Sequence, residues 1–408
     1  MSVGPYGTWS SPISAADVAA GGVGVGEPWL EGDVAYWLER RPADQGRAVL
    51  VRAEPFGSPV DVTPNGFDAR TRVHEYGGGS YLVRGDVVVF SNDDDQRLYR
   101  QDAGGEPRPI TPEPPSRASI RYADGRMTLD GARLICVRER HEPDRVLNEL
   151  VTLPADGSEE PVVVASGADF YAAPRVSADG RRIAFIAWRQ PRMPWDGTEL
   201  HVADLGTDAT LSGDRVVAGG ERESIFQPEW SPTGVLHFVS DRTGWWNVYR
   251  LDGDGRAEHL TPLDAEFGVP MWELGYATYA FLDDGRIVCT YRTRGVQHLA
   301  AIDPTTLELL DLDVPFPSFE PYLRTSGSRL LFVAGGSAIP HEVVSLDFTA
   351  RSVDVLRVER EIPFDDAYVS APEPLEFPTE SGRARTRTSI RRRTRTRRRR
   401  RANGRRSS

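Results

Sequence analysis

The chain has 408 residues, of which 39% are apolar and 27% charged, a balance typical of soluble globular proteins. No run approaches the roughly 18 consecutive apolar residues of a membrane span, and residues 1–26 lack the basic start and apolar run of a secretory signal, so we expect a cytoplasmic protein with no membrane partner. All 49 basic residues are arginines and 14 of them lie in residues 381–408, so residues 1–380 carry 35 basic against 60 acidic side chains and do not resemble a nucleic-acid binder.

The first predicted element is a short helix within an N-terminal arm, residues 1–24. Ser14 is a suitable N-cap for a helix that runs to Ala20, because its hydroxyl can accept a main-chain N–H of the first turn. Helical periodicity is weak elsewhere, so the remainder of the chain is predicted to be β structure.

A unit of about 49 residues then recurs seven times within residues 25–363. Each unit opens with a turn that contains glycine and continues into an apolar strand; the turns are Gly32-Asp33, Gly85-Asp86, Asp130-Gly131, Asp179-Gly180, Thr233-Gly234, Asp284-Gly285 and Ser326-Gly327. Closing Thr-Pro signatures occur at Thr63-Pro64, Thr111-Pro112 and Thr261-Pro262. This period and three to four short strands per unit are typical of propeller blades, which bury both faces by packing radially. We therefore predict an all-β, seven-bladed β-propeller, and we see neither the capping repeats nor the regular strands of a solenoid.

The two cysteines, Cys136 and Cys289, both lie inside apolar runs with strand character. Two buried free thiols explain this placement better than a disulfide or a metal site. The histidines are scattered singly, and the three successive acids Asp93 to Asp95 lack further spaced oxygen ligands, so no metal site and no cofactor are predicted.

Two segments follow the repeats. Residues 364–380 are predicted to be an extended linker, because their three prolines prevent a helix. Residues 381–408 are half arginine and almost free of apolar side chains, so we predict a disordered tail.

Several stretches resemble the propeller half of the prolyl oligopeptidase family of serine peptidases, in the branch of bacterial dipeptidyl-aminopeptidase and acylaminoacyl-peptidase-like enzymes. The stretches are Arg72 to Gly79 (RVHEYGGG), Ser91-Asn92 with Asp95 to Arg100 (DQRLYR), Asp169 to Tyr171 (DFY), Met193 to Leu200 (MPWDGTEL), Phe226 to Pro232 (FQPEWSP), Ser240 to Tyr249 (SDRTGWWNVY) and Glu373 to Pro378 (EPLEFP). The resemblance covers residues 5 to 380. It implies a propeller that caps an α/β-hydrolase domain with a Ser-Asp-His triad, filters substrates and walls the active-site cavity.

The sequence departs from that family pattern after the propeller. No G-x-S-x-G nucleophile motif occurs, the last histidine is His341, and only 28 residues follow the predicted linker. We therefore expect that the α/β-hydrolase domain is absent and that the chain alone is inactive.

The arginine-rich tail begins where the resemblance would place the hydrolase. Arginine without lysine indicates a gene rich in G and C, and a shifted reading of such codons turns Ser389 to Thr396 and residues 403–408 into strings that resemble the start of a hydrolase domain. Our hypothesis is a frameshift near residue 381. The alternative is an authentic tail whose arginines bind the phosphates of a nucleic acid.

The candidate substrate-binding residues lie in three segments. Arg72, His74, Glu75 and Tyr76 precede three glycines and, by resemblance, could face the central cavity and touch a peptide, although a hydrogen-bonded loop between blades explains them equally well. Glu221 and Glu223 could hold the amino terminus of a substrate, against the alternative of a solvated loop. Trp245 and its neighbour Trp246 lie in a strand-turn-strand context, where blade packing is expected for at least one of them.

Two functions follow from these observations. The first is the substrate-gating, non-catalytic propeller of a serine peptidase, with peptides as partners through the central cavity. The second is a stand-alone propeller that binds a peptide or protein. A metal-dependent propeller enzyme lacks ligands and ranks last.

Overall fold

The computed structural model describes residues 13–361, 369–370, 372–379 and 384–390. Within them, seven small antiparallel sheets follow one another along the chain, and each is built from consecutive strands. A short helix, α1, spans Ala15–Ala20, and one 3-10 turn spans Pro42–Asp44. No helix in this part of the chain is long and apolar enough to cross a membrane.

Blades 1 to 4 have four strands each. Their bounds are β1 Gly24–Glu31, β2 Val34–Arg41, β3 Arg47–Ala53 and β4 Val60–Asp61; β5 Tyr81–Arg84, β6 Val87–Ser91, β7 Leu98–Asp102 and β8 Arg108–Pro109; β9 Ile120–Met127, β10 Arg133–His141, β11 Val146–Pro154 and β12 Val162–Ala165; β13 Phe170–Val176, β14 Arg182–Trp188, β15 Glu199–Leu205 and β16 Leu211–Gly219.

Blades 5 and 6 repeat this pattern, whereas blade 7 has a divided first strand. Their bounds are β17 Ile225–Trp230, β18 Leu236–Ser240, β19 Asn247–Leu251 and β20 Ala257–His259; β21 Tyr279–Phe281, β22 Ile287–Thr293, β23 Val296–Ile302 and β24 Leu309–Asp311; β25 Ser318–Phe319, β26 Arg324–Ser326, β27 Arg329–Gly335, β28 Glu342–Asp347 and β29 Ser352–Val358. A separate hairpin pairs β30, Pro372–Pro378, with β31, Ala384–Ile390.

The first strands of the blades form the inner wall of a ring. In succession β1 contacts β5, β5 contacts β9, β9 contacts β13 and β13 contacts β17, while β21 contacts β26 and β26 contacts β1. Apolar side chains between blades 7 and 1, such as Val333 and Trp37, are fully buried and close the ring by packing. The prediction of a seven-bladed β-propeller is confirmed.

The repeat signals have identifiable structural roles. Each predicted turn joins the first and second strands of a blade, and the apolar run after it is the second strand. Each threonine of the Thr-Pro signatures follows the fourth strand, and its hydroxyl accepts a main-chain N–H of the third strand: Thr63 from Leu50 at 3.0 Å, Thr111 from Leu98 at 3.1 Å and Thr261 from Val248 at 2.9 Å. The signature therefore satisfies a donor that the short fourth strand leaves unpaired.

A bulge in several inner strands links neighbouring blades. Glu27, Asp124 and Gln227 have positive φ angles of 45°, 51° and 46°. Their side chains accept main-chain N–H groups of the next blade, from Ser80 at 2.7 Å, Ala173 at 2.8 Å and Thr278 at 2.6 Å respectively. The bulges thus turn a polar side chain from one blade onto the backbone of the next.

Three further predictions can be compared with the structure. Ser14 caps α1 by accepting from Asp17 N at 3.1 Å, as expected. Cys136 and Cys289 are buried free thiols, and burial raises the pKa of Cys136 to about 12. The described part of the predicted linker is extended in β30.

Within the segment 381–408, which is predicted to be disordered, one part is a strand in the structure. Ala384–Ile390 forms β31, because a hairpin is held by main-chain hydrogen bonds and alternating threonines suit a strand even without apolar neighbours to bury. Residues 381–383 and 391–408 lie outside the described residues.

Candidate functional site on the upper face

One face of the ring, the upper face, is where the chain enters β1 and leaves β29; Val23 N donates to Glu359 O at 3.0 Å there. Strands alternate in direction within a blade, so this face also carries the connections between blades and the turns between second and third strands. All seven candidate residues lie in these connections: Arg72, His74, Glu75 and Tyr76 before β5, Glu221 and Glu223 before β17, and Trp245 before β19.

Arg72 belongs to the framework of its loop. Its Nη2 donates to Asp93 Oδ2 at 2.6 Å, which raises the pKa of Arg72, and its main-chain N donates to Gln96 Oε1 at 2.7 Å. Gln96 is fully buried, and Arg72 O accepts from Arg121 Nη1 at 2.7 Å. Arg72 therefore positions the loop.

The His74 ring packs among aromatic side chains. Its centroid lies 5.1 Å from that of Phe170 and 5.6 Å from that of Trp188, with the rings edge to face. Burial lowers the pKa of His74, so the imidazole is neutral near pH 7. Its main-chain N donates to Glu139 Oε2 at 2.9 Å. His74 thus anchors the loop to blades 3 and 4.

Glu75 lies in a group that could in principle hold a divalent cation. Ligand atoms of Glu75, Glu139 and His141 lie within 4.8 Å of one another. Arg121 Nη1, however, lies 2.9 Å from Glu75 Oε1 and 3.1 Å from Glu139 Oε1, and His141 Nε2 lies 2.7 Å from Glu139 Oε1. Because the guanidinium already supplies the positive charge, we assign no metal to this group.

The glycines after Tyr76 carry their loop across the central channel. Leu274, in the connection from blade 5 to blade 6, donates its N–H to Gly77 O at 2.8 Å, and Gly78 pairs with Leu274 as a parallel bridge. Blades 2 and 6 lie on opposite sides of the ring, so the two loops meet over its centre. Val73 and Leu274 are buried beneath them in one apolar cluster. We call this assembly the channel plug.

An aromatic ridge lies on top of the plug. The Tyr76 and Trp272 rings are 5.1 Å apart between centroids, and Trp272 and Trp195 are 4.6 Å apart. Tyr76 remains 61% exposed and Trp272 46% exposed. Large exposed aromatic side chains of this kind are typical of surfaces that bind other molecules.

Glu221 and Glu223 are both paired with arginines. Arg192 Nη2 lies 2.9 Å from Glu221 Oε2, whose side chain is 78% exposed. Arg242 Nη2 lies 2.7 Å from Glu223 Oε1, which also accepts from Ser240 Oγ at 2.7 Å. The structure therefore gives these carboxylates protein partners and does not bring them to the Tyr76 loop.

Two other carboxylates line a pocket of about 410 Å³ between blades 5 and 6, with Trp195 in its wall. Asp241 Oδ1 accepts from Ser224 N at 2.8 Å, and Glu266 Oε2 accepts from Trp246 N at 2.9 Å. Burial raises the pKa of both acids. Acidic oxygens between aromatic walls suit a ligand with a cationic and an apolar part.

Of the two adjacent tryptophans, Trp246 is packed and Trp245 is exposed. Trp246 stacks on Phe226 with 6.3 Å between centroids, so packing of at least one tryptophan is confirmed. Trp245 is 38% exposed on the upper face.

Sequence reasoning missed the ridge and pocket residues Trp195, Trp272, Asp241 and Glu266. Trp195 lies in a stretch that carried the resemblance, but Trp272 stands alone in a loop. Their proximity arises only when loops far apart in sequence meet.

Comparison with known proteins agrees with this architecture. The chain is similar to the solved structure of a puromycin-hydrolyzing peptidase from Mycobacterium tuberculosis, with a TM-score of 0.88 and 38% identity over 95% of this chain and 61% of that chain. It is similar to a puromycin hydrolase, with a TM-score of 0.87 and 34% identity over 94% of this chain and 61% of that chain. Prolyl oligopeptidase B from Galerina marginata shares the fold, with a TM-score of 0.63 and 13% identity over 90% of this chain and 55% of that chain. No family model and no curated protein gives a match. The chain thus spans 61% of the length of the two peptidases with which it shares more than 30% identity.

Proposed function

We propose that the chain is the substrate-gating, non-catalytic propeller of a serine peptidase of the prolyl oligopeptidase family, a proposal supported by its likeness over 61% of the length of two puromycin-hydrolysing peptidases. Within the family we place it in the dipeptidyl-aminopeptidase and acylaminoacyl-peptidase-like branch, and we place the protein in the cytoplasm. The observation that carries the proposal is the exposed aromatic ridge on the face where the chain enters and leaves the ring.

The channel plug bears on the route by which a peptide would reach this face. Val73 and Leu274 are buried where the two loops cross the channel. A peptide that passed through the ring would have to displace them and break the Leu274–Gly77 hydrogen bond. This arrangement favours a peptide that approaches along the upper face and contacts the ridge, over passage through the central cavity.

The chemistry of the pocket suggests what the ridge receives. Asp241 and Glu266 can attract the amino group of a short peptide, while the ring of Trp195 packs against its first side chain. We therefore expect a preference for peptides with a free amino terminus. Puromycin, which those two peptidases hydrolyse, is a second probe.

The test is calorimetric titration of the full chain with leucyl-phenylalanine amide, its N-acetylated form and puromycin. We expect saturable binding of the free-amine peptide, and Trp272→Ala should weaken it at least about tenfold, as truncation of a central aromatic contact does. The matched control is Phe56→Ala, because Phe56 is a fully exposed aromatic in the β3–β4 turn of the opposite face. Equal affinity in wild type and Trp272→Ala would remove the ridge from the proposal.

A second candidate is a stand-alone propeller that binds a peptide or protein. It is favoured by the closure of the ring within the described residues, since β1 packs on β26, β27 and β28 without a second domain. Peptide binding by the isolated chain is expected for both roles, so the reading frames that follow the codon of Leu375 decide between them. Binding of nucleic acid is proposed only if the arginine-rich tail is authentic.

A further inference from the structure

The lower half of the channel, on the side of the plug away from the upper face, holds a cavity of about 340 Å³. Its wall includes Arg126, Arg175 and Arg324, which come from the first strands of blades 3, 4 and 7, together with Glu229 from blade 5. The described residues thus place three guanidinium groups in one cavity of a propeller whose other surfaces are predominantly acidic.

One of the three arginines is fully paired. Arg175 Nη1 lies 3.1 Å from Asp124 Oδ1, and Arg175 Nε lies 3.2 Å from Glu229 Oε2. Asp124 is buried and also accepts from Ala173 N at 2.8 Å. Arg175 therefore uses both carboxylates that lie next to the cavity.

The other two arginines bond mainly to main-chain oxygens. Arg126 Nη1 donates to Gly125 O at 2.7 Å, and its nearest carboxylate oxygen, on Asp124, is 3.6 Å away. Arg324 donates to Leu323 O at 2.9 Å and to Gly275 O at 2.7 Å. Among the described residues, no carboxylate lies within ion-pair distance of Arg324.

The charged side chains around the cavity therefore carry a net positive charge. Three guanidinium groups face the carboxylates of Asp124 and Glu229, which is a surplus of one positive charge. Glu27 also interacts with Arg324, but burial raises the pKa of Glu27 to about 7, so this carboxyl is mostly protonated at pH 6. Burial and the neighbouring Arg175 lower the pKa of Arg126 to about 9, a sign that its charge is poorly compensated. The Trp29 ring lies 5.3 Å from the Arg126 guanidinium carbon and packs against it.

We propose that Arg126 and Arg324, with Arg175 behind them, bind one small oxyanion, a carboxylate or a phosphate, in the lower half of the channel. Guanidinium groups bind such oxyanions by paired, charge-assisted hydrogen bonds, and an anion would supply the missing charge. The cavity is accessible, since the Arg126 side chain keeps 20% of its surface exposed. Glu229 on the same wall and the neighbouring Asp124 balance two of the three guanidinium charges. The one remaining positive charge therefore suits a single anionic group. The plug separates this site from the upper face, so the proposal does not depend on the proposed function.

The experiment titrates the full chain with inorganic phosphate by calorimetry at pH 6, against sodium chloride at equal ionic strength. A second arm uses acetyl-alanyl-alanine, which has a free carboxylate, and its C-terminal amide. Binding of phosphate alone identifies a free ion as the ligand, and binding of the free-acid peptide but not of its amide identifies a peptide carboxyl terminus; either result supports the site.

Variants then locate the binding. Arg126→Gln should weaken affinity at least tenfold, and Arg126→Lys, which keeps the charge, should restore part of it. Arg117→Gln is the matched control, because Arg117 pairs with Asp94 on the outer surface, where both side chains are 74% exposed. No saturable binding of either probe by wild type, or unchanged affinity in Arg126→Gln, would overturn the proposal.

Discussion

Gly78 and Leu274 meet over the centre of the ring, although they lie in loops that lead to blades 2 and 6. A Cβ atom on Gly78 would lie 2.3 Å from Leu274 O and 2.8 Å from Leu274 N, so only glycine allows this approach. The positive φ of Gly78, 85°, also favours glycine. The contact closes the channel on the face where we expect peptides to bind.

Gly78→Ala should therefore destabilise the protein by about 2 to 4 kcal/mol, because it adds both a steric clash and an unfavourable φ. The measurement is urea unfolding. Gly66→Ala is the control, since Gly66 has a comparable φ of 93° and open space around its Cβ position. It should cost about 1 kcal/mol. Equal losses in the two variants would show that the plug contact is not tight.

Glu27 should make stability fall as the pH rises from about 5 to 8. Burial raises its pKa from 4.5 to about 7, despite its hydrogen bonds from Ser80. Between these values the folded state holds a proton that the unfolded state has released, so the stabilisation is complete at low pH and is lost as pH passes through 7. The effect is on the order of 2 to 3 kcal/mol.

Chemical unfolding of wild type and Glu27→Gln across this range isolates the effect. As the pH rises, the unfolding free energy of wild type should fall relative to that of Glu27→Gln, because glutamine does not titrate. Glu113→Gln, at an exposed glutamate, serves as the control and should run parallel to wild type. A parallel curve for Glu27→Gln as well would contradict the assignment.

If the chain is the non-catalytic propeller that we propose, it should not hydrolyse peptides by itself. A serine peptidase of this kind needs a nucleophile on a sharp turn together with an acid and a histidine, and no G-x-S-x-G motif occurs here. An aminoacyl chromogenic substrate measures the rate. A rate that survives repeated purification and scales with the concentration of the chain would refute this prediction.

The Thr-Pro signature offers a test of how blades close at their outer edge. Thr261 is buried, accepts from Val248 N at 2.9 Å and donates to Asn247 Oδ1 at 3.0 Å. Thr261→Val keeps the shape but leaves the Val248 N–H without its partner, so we expect a loss of about 1 to 3 kcal/mol in unfolding free energy. A loss below experimental error would contradict this prediction and would mean that the Val248 N–H finds another acceptor in Thr261→Val.

The fold could be predicted from the sequence because its determinants are local and repeated. Turns such as Asp179-Gly180 and the apolar strand after each of them recur in every blade, and each repeat needs only its neighbours to bury its faces. The strand Ala384–Ile390 was not predicted, because a composition poor in apolar side chains carries no information about main-chain pairing in a hairpin.

The candidate site was only partly predictable. Tyr76 was identified from its glycine-rich loop, but its partner Trp272 is almost 200 positions away and carries no local signal. The sequence does contain a signal for the arginine cavity, since Arg126 and Arg175 are separated by one repeat length, about 49 residues. Aligning the repeats position by position would have brought these two arginines to the same place on the inner wall.

The most direct test of whether this chain is the propeller of a peptidase is to sequence the gene from the codon of Leu375 onward and to translate all three reading frames. We expect an α/β-hydrolase sequence with a G-x-S-x-G motif in one of them, which would make this chain the propeller of a peptidase whose reading frame changes near residue 381. A continuous arginine-rich tail with no such sequence behind it would contradict the proposed peptidase role and favour the stand-alone binding propeller.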